Sequence, residues 1–231
     1  MLDIELDLLH VDAPRAASTL YVLREALLAN LVLAVTGGFT VLPIGITARF
    51  GPNATGTTTH GSRMPREFGQ FPHVPTTAID TNARQELQEL WPRVEESFLS
   101  ASSYLSLPLR RLVDARGRTR VDDKIVDCAI ALEALLTGSE KQELKYRLAL
   151  RGATVLEEQG EDKHQAFKEL RDFYDVRSRI VHGASVKKYD LPPLAKNGER
   201  LLREILKSHL TQGLTRRGAT DRIDRRILGS A

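Results

Sequence analysis

Arg177 and His182 are the two side chains of this 231-residue sequence whose types and spacing point most directly to chemistry. They lie in Phe173-Tyr174-Asp175-Val176-Arg177-Ser178-Arg179-Ile180-Val181-His182-Gly183, at the end of a stretch with helical apolar spacing. Positions 166, 170, 173, 174, 177, 180 and 181 predict one apolar stripe on that helix, with Arg177 as its only charged member. A charge on an apolar stripe is costly unless a partner or a function holds it there. A guanidinium can grip a phosphate and stabilise charge that builds on it. An imidazole can shuttle protons near neutrality. Together the two groups suit attack of a ribose 2′-hydroxyl on the adjacent phosphate, with no metal required.

Five residues along a regular helix place His182 about 140° around the axis from Arg177. The pair would border a groove, one beside the core and the other at its rim. Two bundles meeting along this helix would bring two arginines and two histidines into one cleft. A carboxylate partner for Arg177 is expected, and Glu133 and Asp127 are the candidates, each set among apolar residues. The same residues also fit a purely structural role. His-Gly is a common helix ending that complements the macrodipole, and an arginine on a stripe often forms only an ion pair.

The elements that must position this site are mostly helical. Helical apolar spacing recurs at Leu87, Leu90, Trp91, Val94, Phe98 and Leu99, with Pro92 as a kink or break. A short helix is predicted around 105–115, stopped at Arg116-Gly117. Further helices run from Asp122 to Gly138, from Leu144 to Gly160, through Ala166 to Gly183, and from Leu191-Pro192-Pro193 onward. Lys207 to Ala231 reads as a fading basic tail. Ahead of this, residues 2–9 alternate apolar and acidic, as in a half-buried strand. Ser18 or Thr19 would cap a helix toward Val35, and Phe39 to Ala48 reads as a second strand. The expected fold is therefore mainly α. It comprises a small α/β segment (1–50), a Gly/Pro/Thr-rich linker (51–80), an antiparallel helical bundle (81–210) and a basic tail (211–231). The opening strand begins almost at Met1, as it would in a fragment of a longer protein.

Composition narrows the classes. The formal charge of +3 is too weak to mark a nucleic-acid binder, yet Lys187 to Ala231 carries a net +6, suited to a polyanion or to a solvated helix face. Cys128 is the lone cysteine, so no disulfide framework forms within the chain, which fits a reducing cytoplasm. No apolar run is long enough for a membrane helix, and the N-terminus lacks the layout of a signal peptide. Gly51-Pro52-Asn53-Ala54-Thr55-Gly56-Thr57-Thr58 resembles a phosphate-binding loop but lacks its lysine. His10, His60, His73, His164 and His209 show no paired metal-ligand spacing, and no cofactor is expected.

Three ordered segments add a family resemblance. Asp127-Cys128-Ala129-Ile130-Ala131-Leu132-Glu133-Ala134-Leu135-Leu136, Tyr146-Arg147-Leu148-Ala149-Leu150-Arg151-Gly152-Ala153 and Tyr174 through Gly183 together resemble the HEPN superfamily, specifically its Apea-like branch, over roughly residues 82–210. That superfamily's signature is an arginine and a histidine separated by four to six residues, and here the gap is four. The resemblance implies a dimerising helical bundle with Arg177 and His182 in a composite cleft. It also implies metal-independent RNA cleavage in prokaryotic antiviral or toxin–antitoxin systems, in the cytoplasm, with an antitoxin or other regulatory partner. Arg177 would contact the scissile phosphate and His182 would act in proton transfer. Asp175, Tyr174, Ser178 and Glu133 would support the pair, and Arg179, Lys187 and Lys188 would contact the RNA backbone. Active relatives often carry an amide, an acid or a histidine where this chain has Ser178. The superfamily also includes inactive interaction modules. A non-catalytic dimerisation, RNA-binding or sensor module is therefore the second reading.

Overall fold

The computed structural model describes residues 13–35, 46–47, 59–60, 81–137 and 143–229. Among them the chain is mainly α. The helices are α1 (Ala13–Ala34), α2 (Thr81–Leu99), α3 (Ser106–Gly117), α4 (Val121–Leu136), α5 (Leu144–Glu158), α6 (Lys163–Val181), α7 (Leu191–Gln212) and α8 (Arg216–Ile227). Two-residue strands β1 (Ile46–Thr47) and β2 (Thr59–His60) pair antiparallel.

The expected small α/β segment is not supported. Of residues 1–50, the structure describes one long helix and two strand residues. The predicted strand over 2–9 and the loop-like motif at 51–58 lie outside the described residues. α1 starts at Ala13, ahead of the predicted caps Ser18 and Thr19, with Pro14 in the first turn, where a missing N–H costs nothing. α1 is part of the bundle. Ala26, Ala29, Val32 and Leu33 join the core that holds Leu109, Leu132, Leu148, Phe173 and Leu201. α1 lies against α2 and α3.

Buried charges are tied in pairs, as desolvation demands. Arg203 of α7 donates from Nε to the Val32 carbonyl at 3.1 Å and from Nη2 to Glu199 at 2.8 Å, and Glu199 also pairs with Arg116 of α3. The last turn of α1 is thereby held by α7. Asp127 of α4, one of the two carboxylates proposed for Arg177, is taken instead by Arg111 at 2.9 Å and Arg118 at 2.8 Å. Cys128 is buried, and burial pushes its thiol above the usual range, as expected of a core thiol.

α5 and α6 run antiparallel, with Lys145 pairing to Asp175 at one end and Glu157 to Lys163 at the other. α7 packs tightly on α6 because Gly198 has no Cβ. One there would penetrate the Phe173 ring, which is fully buried. Pro92 does not break α2. Both Pro92 and Gln88, whose carbonyl loses its donor, are exposed, so water can serve that carbonyl.

The expected basic tail is also corrected. α7 continues to Gln212, and after the left-handed Gly213 the chain forms α8. Thr215 caps α8 by accepting from the Gly218 N–H at 3.2 Å. Ala219 and Ile223 are buried, and Asp224 accepts two hydrogen bonds from Arg151 of α5, at 2.8 and 2.7 Å.

Candidate functional site on helix α6

Asp162 starts α6 by accepting from the Gln165 N–H at 2.6 Å. Ala166, Leu170, Phe173 and Tyr174 then face the core as the spacing predicts. The predicted stripe needs one exchange, because Val176 is buried while Val181 is 51% exposed. The helix closes with the Gly183 N–H on the Ile180 carbonyl at 3.2 Å and the Ala184 N–H on the Arg179 carbonyl at 2.8 Å. Gly183 adopts φ +67°, so the ending is a Schellman motif with His182 at the C-cap. His182 is thus an exposed imidazole on a backbone fixed by its neighbours.

Arg177 lies at the edge of the core. Its Nη2 meets Glu133 Oε1 of α4 at 3.0 Å, and its guanidinium carbon lies 5.3 Å from the centre of the Tyr174 ring. The Tyr174 hydroxyl donates to the same Glu133 oxygen at 2.8 Å. Burial, helped by that carboxylate, pushes the Tyr174 phenol up to about 12, so it stays protonated as a donor. Arg177 Nε–H is buried without a hydrogen-bond partner among the described residues. The Arg177 side chain keeps 20% of its surface exposed. One edge of the guanidinium is therefore fixed by Glu133, and part of the group remains open to a ligand.

The other predicted residues fall in two places. Asp175 pairs with Lys145 of α5 at 2.9 Å and takes no part in the Glu133 cluster. Ser178 is partly exposed, and its carbonyl accepts from the His182 N–H at 3.1 Å. Arg179, Lys187 and Lys188 are exposed at the end of α6 and in the turn that follows. Arg179 and Lys188 both approach Tyr189, which the sequence reading passed over although it directly follows two lysines. The structure therefore brings Glu133, Tyr174 and Arg177 together. It leaves His182 outside that cluster, one to two helical turns further on.

Other features lie away from these residues. A groove of about 910 Å³ between α5 and α8, lined by Tyr146, Arg147, Arg151, Arg216 and Arg217 among others, contains neither Arg177 nor His182. His209 is a core histidine. Its Nδ1 meets the Tyr104 hydroxyl at 3.0 Å, and burial, with Arg222 adding to it, lowers its pKa to about 4. No group of three or more His, Cys, Asp or Glu side chains converges to hold a metal among the described residues. No described helix is long and apolar enough to cross a membrane. No family model, no curated protein and no solved structure matches this chain.

Proposed function

We propose that this chain is a metal-independent endoribonuclease of the HEPN type, acting as a homodimer. The observation that carries the reading is Arg177, oriented at the core edge by Glu133 and Tyr174, five residues before the exposed His182. The homodimer rests on the family resemblance; Val181, beside His182, is exposed, so the described residues leave this end of α6 accessible to a second copy. In the proposed cleft the open part of the Arg177 guanidinium binds the scissile phosphate and stabilises charge building on it. The ribose 2′-oxygen forms a bond to phosphorus, and the bond to the 5′-oxygen breaks. His182 moves a proton in this exchange, and the products end in a 2′,3′-cyclic phosphate and a 5′-hydroxyl. Arg179, Lys187 and Lys188 supply positive charge for the RNA backbone. The family resemblance extends the proposal to a cytoplasmic role in antiviral defence or a toxin–antitoxin pair, with a regulatory partner.

The test is cleavage of labelled RNA in EDTA by the parent protein and by His182→Ala. Cleavage by the parent, lost in a variant whose melting temperature is unchanged, is the expected result. Undiminished cleavage by the variant would falsify the assignment. The second reading, a binding module without turnover, is favoured by the ion pair that already occupies one edge of Arg177 and by the short Ser178 beside it. A folded parent dimer that binds RNA and never cuts it would decide for that reading.

A further inference from the structure

We propose that Tyr189, flanked by Arg179 and Lys188, is a stacking subsite for an unpaired base of single-stranded RNA next to His182. The proposal rests on the ribonuclease reading and names how its substrate is held. The connection between α6 and α7 is built to present this ring. Its first end is locked by the Schellman bonds at Gly183 and Ala184. Its second end is closed by a turn in which the Tyr189 N–H donates to the Val186 carbonyl at 3.0 Å. Val186 and Tyr189 both pack against the core and stay partly exposed, while Lys187 and Lys188, between them, are exposed. The ring is thus held by the protein on one side and remains reachable.

Two cations converge on it. Lys188 Nζ lies 4.9 Å from the ring centre, and the Arg179 guanidinium carbon lies 5.9 Å from it. Among the described residues no carboxylate pairs with Arg179, Lys187 or Lys188. Asp190, the nearest in sequence to Lys187 and Lys188, is exposed at the start of α7, and Asp175, one turn before Arg179, pairs with Lys145 at 2.9 Å. Arg179 precedes His182 by three residues, so the two share a helix face, and the subsite adjoins the proposed proton-transfer group. An aromatic ring ringed by unneutralised cations suits a nucleotide in particular. The base stacks on the ring while the flanking phosphates neutralise the cations. A double-stranded segment keeps its bases stacked inside and cannot offer one, so the substrate class is single-stranded RNA.

The test uses the full chain carrying His182→Ala, so that RNA is not consumed, and reads the fluorescence anisotropy of a labelled 12-nucleotide single-stranded RNA. Adding Tyr189→Leu should weaken binding roughly 5- to 100-fold, and Tyr189→Phe should restore it, because Phe keeps the stacking surface. Scanning the RNA with one abasic position should find a site where binding to the Tyr189 protein weakens but binding to Tyr189→Leu does not. Arg179→Gln should instead lower the salt dependence of binding. Unchanged affinity in Tyr189→Leu, or no sensitive abasic position with the Tyr189 protein, overturns the subsite. If the protein with His182 intact still cleaves RNA, the ribonuclease reading survives that loss. Absence of any RNA binding or cleavage overturns both. The abasic scan needs no substitution at Tyr189, so it decides even if Tyr189→Leu fails to fold.

Discussion

Glu133 accepts from both the Tyr174 hydroxyl and the Arg177 guanidinium through a single carboxylate oxygen. A carboxylate and a guanidinium placed on two apolar helix faces each need the other, and this made the pair legible in the sequence. Asp127 was the other candidate there, and only the fold shows that Arg111 and Arg118 hold it. Removing Glu133 leaves a half-buried cation and a buried hydroxyl unpaired. Glu133→Ala is therefore expected to cost about 1–3 kcal/mol of stability, measured by urea unfolding. It should also reduce RNA cleavage, because Arg177 loses its orientation. Glu133→Gln keeps an acceptor oxygen for both donors and should recover most of the stability. A Glu133→Ala protein as stable and active as the parent would remove Glu133 from the account. Tyr189 was not legible in the same way, because its neighbours are set by a loop turn and a helix end rather than by periodicity.

At the scale of elements, α4 to α7 follow the apolar spacing closely, since each buries a wide apolar face with Gly, Asp or Pro at or near its ends. α8 escaped that pattern. Its five arginines dominate its composition, and only Ala219 and Ile223 are buried, a period too short to register. Its place is set by tertiary contacts, namely Arg151 with Asp224, Arg222 with Glu158 and Arg216 with the Thr137 carbonyl. Ile223→Ala should therefore cost roughly 2–4 kcal/mol through lost burial and a residual cavity, read from the urea midpoint. A solvated tail would show no change, and that result would contradict the packing of α8. A strand was expected over 2–9 from period-two alternation and another over 39–48 from its β-branched apolar run, with a helix toward Val35 between them. That helix is present as α1, but it packs on α2 and α3 as part of the bundle rather than forming a separate α/β segment.

At the scale of the whole molecule, the titration of His209 links pH to folding. His209 sits in the core with its pKa lowered to about 4, mainly by burial, against an ordinary value near 6.5. The unfolded chain therefore binds a proton in the window between those values while the folded chain does not. The contribution is fully present above pH 6.5 and is lost as pH falls toward 4. It amounts to on the order of 3 kcal/mol. Unfolding free energies measured from pH 7 down to pH 4 should fall more steeply for the parent than for His209→Gln, which cannot take up the proton. Equal slopes would show that His209 does not titrate in this way. The joining of α1 to the bundle core and the docking of α8 on α5 make the described helices one packed body behind the α6 site. The rigidity of that body is what would keep Arg177 and His182 in register across a dimer.

The central claim is attack by the ribose 2′-hydroxyl in a cleft formed by Arg177 and His182. The most direct measurement is mass analysis of the products from an RNA cut in EDTA, beside the same RNA carrying a single 2′-deoxy nucleotide at the cleaved position. The account predicts 2′,3′-cyclic phosphate ends from the first and no cut at that position in the second. A 3′-hydroxyl end, or continued cutting at the deoxy position, would contradict it.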